Sequence, residues 1–447
     1  MISRKPPCQY VLIATLVTLS FLFGGCSKAD RPELVRQPVG MGSTEPDPES
    51  EIDGPEISLE TQEETRDGNG LKLDEITDVT RGISESVISI GVIKSGNVFQ
   101  DIEIGVEALF QRVNGEGGID SRTIEVVEVI DDEGEEKLAL AAAKKLANED
   151  LFAVILASTG AGSEVTDFLA DNEIPFFGWG FSEGFCEPNK WGFGFNGCLN
   201  SVSTSSLTSI QDTSSLRLTS IFYGRTPKIV LVTTDDDAGF AVAAQTEAVW
   251  GQNLIQTIKI EEGVTSSEII VQLEGVDADV LWLSVGLEET ISLKRQLIDQ
   301  FPGMVLDDVT YLPGILQEYE ISRQLEGGYV FSQFPPQEEY RAATTRIMTD
   351  LEKVNGPLIY SQAISIGYWS ADLLVSILNA VDSEITLRTF FRTANVEGIL
   401  YESDISGGPC PIETTLIHQD PAGGAALLQV RGGVFRPVVN FNCPLED

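Results

Sequence analysis

The sequence predicts an α/β protein of two lobes, each built around a parallel sheet. Three observations carry that prediction. Short β-branched runs alternate with stretches of helical spacing, and the alternation stops and then restarts further along. The chain has 447 residues, enough for two or three domains. Strands separated by helical stretches argue for right-handed βαβ units on a parallel sheet.

The first 25 residues read as an address, not as part of the fold. Arg4 and Lys5 precede an apolar run of 14 residues, 10–23, which ends in Gly24, Gly25 and Cys26. A charged start, a short apolar stretch and small residues before the cleavage point describe a secretory signal peptide. The run is short for a membrane span, which needs about 20 residues. The segment Leu22-Phe23-Gly24-Gly25-Cys26 resembles a bacterial lipoprotein signal, which implies lipidation of Cys26 as the first mature residue. Residues 26–85 read as an acidic, disordered tether. Nine acids and no Lys or Arg fall between Glu45 and Glu64, interleaved with Pro46, Pro48 and Pro55. Such a segment buries too little apolar area to offset its ordering entropy, and its like charges extend it.

The folded body follows. Residues 87–92 form a strand, 105–113 a helix, 124–130 a strand ending in Asp131-Asp132, and 135–147 an Ala-rich helix. A strand at 152–156, a helix at 163–171 and a strand at 174–177 complete the first series. The second runs strand 228–233, helix 241–250, strand 255–260, helix 267–273 and strand 280–284. In open α/β sheets, ligands bind beyond the carboxyl ends of the strands. The residues that matter are therefore expected after Val92, Leu156, Phe177, Thr233 and Ser284. Asp235-Asp236-Asp237 reads as a solvated turn, because three consecutive acids cannot all point one way.

Composition excludes several functions. Acids outnumber Lys plus Arg 69 to 29, a formal charge of -40. Nucleic-acid binding relies on cations that neutralise phosphates, so nucleic acid is a poor partner. The chain has one histidine, His418. Multi-His metal sites are thereby excluded, and a Ser-His-Asp triad would have to use this residue. With no Gly-rich phosphate loop and no paired-cysteine redox motif either, no enzyme, cofactor or metal is expected.

The stretch 105–119, GVEALFQRVNGEGGI, contains Asn114-x-x-Gly117-Gly118-Ile119 and leads into the strand that ends in Asp131-Asp132. Together with Ala143-Lys144-Lys145-Leu146, Ile174-Pro175 and Leu325-Glu326-Gly327-Gly328, it resembles the branched-chain amino-acid and amide group of type I periplasmic solute-binding proteins. The likeness spans about residues 87 to 440. Gly117 and Gly118 fit a helix stop at which the backbone takes positive φ.

The resemblance implies two Rossmann-like lobes joined by three hinge crossovers, lobe 1 being 86–202 plus 328–406 and lobe 2 being 203–327 plus 407–447. It also implies a set of ligand contacts. Phe99 is the nearest aromatic to the packing residue of the first loop. The loop Ser158, Thr159, Gly160 and Ala161 matches the one that holds a ligand carboxylate, with Gly160 in place of the usual serine. Gly180 and Ser182 match a backbone carbonyl and a hydroxyl, and Trp179 flanks Gly180 beside Phe181. In lobe 2, Ala238-Gly239 stands where an aromatic usually precedes the glycine. Glu289 matches the acid that pairs with a ligand ammonium, a charge-assisted bond, with Glu288 adjacent.

Eight aromatics between Phe176 and Phe195 point to an apolar or aromatic ligand portion, although most of them fit a small core under the loop. Cys186, Cys198, Cys410 and Cys443 suit an exported protein with disulfides; of their three pairings, Cys186–Cys198 with Cys410–Cys443 keeps each bridge inside one lobe. The expectation is a monomeric, lipid-anchored, extracytoplasmic protein that captures a small-molecule solute, an amino acid or related amide or acid, for an ABC transporter permease. A ligand-sensing receptor domain signalling to a membrane partner is the alternative.

Overall fold

The computed structural model describes residues 73–96, 98–178, 180, 183–195, 215–235, 237–261, 263–356, 360–419 and 424–443. The signal segment, Cys26 and nearly all of the acidic run lie outside the described residues.

Strands β1 (Val87–Lys94), β2 (Thr123–Asp131), β3 (Ala153–Ala157), β4 (Phe176–Gly178) and β5 (Gly192–Gly194) form one sheet in the order β2-β1-β3-β4-β5. Every pairing in it is parallel. The second sheet takes β6 (Ile229–Thr234), β7 (Leu254–Ile260), β8 (Val280–Ser284), β9 (Met304–Asp307) and β10 (Tyr329–Ser332), followed later by β13 and β14. The short strands β11 (Leu400–Tyr401) and β12 (Ile412–Glu413) pair with each other between the lobes' segments. β13 (Ala425–Val430) and β14 (Phe435–Asn442) complete the order β14-β13-β10-β9-β8-β6-β7.

Three features differ from the sequence reading. The second sheet is mixed, because β13 runs antiparallel to both β10 and β14. A short turn joins β13 to β14, with Arg431 N–H donating to Val434 O at 2.9 Å, and so tight a connection permits only antiparallel neighbours. β10 belongs to the second sheet, so the first lobe resumes some residues later than 328, with helices Ala342–Lys353 and Gln362–Ala380.

The third difference concerns residues 73–85, which are docked and do not act as tether. Ile76 is buried against the first lobe. Arg81 donates to the carbonyls of Leu151, Asn172 and Glu173 at 3.1, 2.8 and 2.6 Å. Arg388 donates to Ile76 O at 2.8 Å. The apolar residues Leu73, Ile76 and Val79 are few and set among acids and threonines, and they follow on the acidic run, so in the sequence this stretch reads as part of the tether.

Helix Ile102–Gly115 packs under β1 and ends as its sequence suggests. Gly118 has φ +73° and donates to Val113 O at 2.9 Å. Asn114 then fastens the helix to β2: its amide donates to Ile124 O at 2.9 Å, and its Oδ1 accepts from Ile124 N–H at 2.8 Å. The motif is thus a fold device at both ends. The same helix crosses Gln362–Ala380 at very short range. A Cβ added to Gly105 would lie 2.2 Å from Ile364 O, and one added to Gly367 would lie 2.2 Å from Ile102 O. Gln362–Ala380 is long and apolar enough to cross a membrane, but it is the core helix of this lobe, with Tyr368 and Trp369 fully buried.

The aromatic run is core. Phe177 stacks on Phe193 at 5.0 Å, Phe176 meets Phe185 edge-on at 5.1 Å, and Trp191 contacts Phe391 at 5.0 Å. Trp179 and Phe181 lie outside the described residues. Cys410 and Cys443 form a disulfide across 33 residues of sequence. Closing a loop of that length removes about 3–4 kcal/mol of unfolded-chain freedom. The partner expected for Cys186, Cys198, lies outside the described residues.

His418 is buried beside Phe193, its Nε2 2.8 Å from Asn395 Oδ1. Burial, then the charge of Lys190, pulls its pKa down to about 3. The unfolded chain binds this proton below about pH 6.5 and the folded one does not until far lower pH. Stability is therefore unaffected by this group above 6.5 and falls by about 1.4 kcal/mol per unit below it, or about 2 kcal/mol by pH 5. We expect the single imidazole proton resonance to stay unshifted from pH 8 to 5, and His418→Gln to lose that part of the acid sensitivity. An imidazole titrating near 6.5 in the native protein would contradict this.

Candidate functional site

At the carboxyl edge of the first sheet, the chain moves to opposite sides of β1 after β1 and β3, and their loops diverge there. Buried Asp132 ties these loops together. Ser95 Oγ donates to its Oδ1 at 2.7 Å, Ser158 Oγ donates to its Oδ2, and Gly134 N–H donates to Oδ1 at 2.9 Å. Thr159 N–H in turn donates to Ser95 Oγ at 2.9 Å, and Gly160 N–H to Ser158 Oγ at 3.0 Å. The hydroxyl and amides expected to hold a ligand carboxylate are therefore engaged inside the lobe. Ser158 is 2% exposed, Gly160 is packed against Glu135, and Ala161 is in the core. Thr159 remains exposed. Gly180 is buried at φ +85°, and Ser182 lies outside the described residues.

A cavity of about 150 Å³ opens between the lobes. Val98 and Phe99, after β1, and Gln362, Ala363 and Ile366, from the start of Gln362–Ala380, supply the first lobe's wall. Gly286 and Leu287, after β8, and Asp308, Val309, Tyr311 and Leu312, after β9, supply the other. Carboxyl-end loops of both sheets thus face one space, and most of its lining is apolar. Of the residues expected to touch a ligand, Phe99 lies in this lining. Glu289 is at its edge, since a Cβ on Gly286 would fall 2.5 Å from Glu289 Oε2. Glu289 is half-buried and Glu288 exposed, which favours Glu289 of the two. Ala238 and Gly239 fall in helix Asp237–Trp250 and are not among the residues that line this cavity; Gly239 packs against Thr234 O. The neighbouring Phe240 is 53% exposed under Lys259 Nζ, 2.9 Å from its ring centre.

The wall after β9 is held from behind. Asp307 and Lys294 form an ion pair, both side chains fully buried. Asp307 Oδ1 accepts from Val309 N–H at 3.0 Å and Thr310 N–H at 2.7 Å, and Oδ2 accepts from Thr310 Oγ1 at 3.0 Å. Lys294 Nζ also donates to Tyr329 O at 2.8 Å. Loss of hydration draws the Lys294 ammonium below its ordinary pKa, against the pull of Asp307. Tyr311 is fixed by donating to Glu338 Oε2 at 2.6 Å. Asp308 is exposed where it lines the cleft. Partial loss of hydration, then the charge of Asp307, raises its pKa above the ordinary carboxyl value.

Asp308, Tyr311 and Gln362 were not singled out in the sequence. A signal for the first existed: residues 304–308 repeat the pattern of an apolar run closed by an acid pair, seen at Asp131-Asp132. For Gln362, a polar residue opening an apolar helix, the sequence offers none.

Comparison with solved structures finds the same architecture. A fatty acid ABC transporter substrate-binding protein from Thermomonospora curvata is 17% identical, with a TM-score of 0.65 over 83% of this chain and 95% of that one. A branched-chain amino acid ABC transporter protein from Thermus thermophilus with bound valine is 13% identical, with a TM-score of 0.62 over 80% and 97%. A solute-binding protein from R. palustris in complex with benzoate is 14% identical, with a TM-score of 0.58 over 81% and 98%. No curated protein sequence matches significantly. A family model, periplasmic binding protein, matches residues 91–433. That span takes in both sheets except β14 and the start of β1, with every loop that walls the cavity, and the fold is the type I arrangement of such proteins: the chain belongs to the periplasmic binding protein family.

Proposed function

We propose that the protein captures a small solute with an apolar portion between its lobes and delivers it to an ABC importer, without catalysis. The observation that carries this reading is the cavity, which loops at the carboxyl ends of both sheets wall from opposite sides. Names of similar structures add support, since those proteins are described with valine, benzoate or fatty acid. Phe99 packs on the solute and Glu289 stands at the cavity edge to meet a donor group. The protein acts outside the cytoplasm as a monomer, anchored through a lipid on Cys26, with the acidic run as spacer.

Binding stabilises the closed arrangement only through higher affinity for it. A thermal-shift screen of amino acids, amides, amines and small aromatic acids tests the reading, with small-angle scattering on each hit. Ligand at 100 times its dissociation constant adds about 2.7 kcal/mol. A hit should also compact the protein, and Phe99→Ala should weaken it about tenfold, the equivalent of about 1.4 kcal/mol. Silence across the panel with unchanged scattering would sink the proposal.

A further inference from the structure

The cavity's polar groups narrow the solute, on the reading that the cleft binds one. Two polar side chains line it besides the Tyr311 hydroxyl, which Glu338 already holds: Asp308 from one lobe and Gln362 from the other. Among the described residues, neither Asp308 nor Gln362 Oε1 has a side-chain hydrogen-bond or ion-pair partner. Asp308 makes no ion pair with Lys or Arg among the described residues, whereas its neighbour Asp307 is neutralised by Lys294. Gln362 Oε1 has no hydrogen-bond partner among the described residues and almost no accessible surface, so it meets a solute only when the side chain turns towards the cavity. A buried acceptor without a donor carries a desolvation cost that a bound donor relieves.

Among the described residues, no Lys, Arg or His is in the lining. The Ser158 hydroxyl and the Thr159 and Gly160 amides that would greet a carboxylate are already bound to Asp132, Ser95 and Ser158 respectively. The chain as a whole carries a formal charge of -40, which disfavours anions at long range. Val98, Phe99, Leu287, Val309, Leu312 and Ile366 supply apolar surface, and a dry cavity of about this volume holds a benzene-sized body.

We infer that the cleft selects an apolar amine, an ammonium head on a small aliphatic or aromatic body, with Asp308 and Gln362 accepting its protons and no provision for a free carboxylate. The ammonium offers three donors and no acceptor, which suits the acceptor-only Asp308 carboxylate and the carbonyl end of the Gln362 amide. Its charge-assisted bond to Asp308 is the stronger contact.

Titration calorimetry of the purified protein at pH 8 tests this with matched pairs: 3-methylbutylamine against 3-methylbutanoate, and phenylethylamine against phenylacetate, with leucine alongside. The amines should bind at least tenfold tighter than their carboxylates. Asp308→Asn, which keeps the shape of the side chain, should weaken amine binding at least tenfold. Gln362→Leu removes a stranded acceptor without endangering the fold and should weaken it several-fold. Carboxylates binding as well as amines would overturn the inference, as would an amine affinity indifferent to Asp308→Asn. Leucine binding while the amines do not would overturn it and leave the solute-binding reading standing. Silence from all five compounds, from the wider panel and from scattering would overturn both.

Discussion

Lys294→Met should destabilise the protein by about 3–5 kcal/mol in urea unfolding, because it leaves the Asp307 carboxylate charged and unpaired in a fully buried position. The loss comes from the stranded partner more than from the pair, whose mutual attraction is largely offset by desolvation. The double variant Lys294→Met, Asp307→Asn should therefore recover part of it. Its asparagine can still accept the Val309 and Thr310 amides that Asp307 Oδ1 takes in the parent. A single variant within about 1 kcal/mol of the parent would show that water reaches the pair. The effect should extend to solute binding, since the loop these amides fix is the β9 wall of the cavity.

Gly367→Val should cost about 3 kcal/mol, at the upper end of overpacking penalties. Helix propensity alone would favour replacing this glycine, by up to about 1 kcal/mol for alanine. Contact decides against it, because the new Cβ would meet the Ile102 carbonyl at 2.2 Å, and backbone cannot swing aside as a side chain can. Gly115 is the internal control. It sits at the end of the helix that Gly367 crosses, with nothing within 4 Å of an added Cβ. Gly115→Ala should be neutral or mildly stabilising. Equal losses at both positions would refute the crossing account. Because Gln362, Ala363 and Ile366 open the displaced helix, Gly367→Val should also weaken solute binding.

The sequence carried the fold far because βαβ units write themselves locally. The strand at 280–284 and the helix at 163–171 have the same bounds in the structure as in the reading. Period and strand-end acids suffice for elements of this kind. The hairpin of β13 and β14 was missed because its strands follow no helix, and β10 was put in the wrong lobe because a four-residue strand has no signature of its sheet. Of the site, Phe99 was legible through family likeness and its distance from β1. The opposite wall was not. Asp308, Tyr311 and Gln362 meet only because two lobes fold towards each other, and Lys294 looks like any charged residue on a helix until Asp307 is placed behind it.

The docked segment before β1 settles where a pull on the N-terminus would be borne. Tension arriving at residue 73 meets Ile76, then the grip of Arg388 on its carbonyl, then the three carbonyls held by Arg81. All of these partners belong to the first lobe. Bonds at successive points along the segment share such a load in shear instead of peeling one at a time. None of these bonds reaches the second lobe, so a leash on this end would load the first lobe alone.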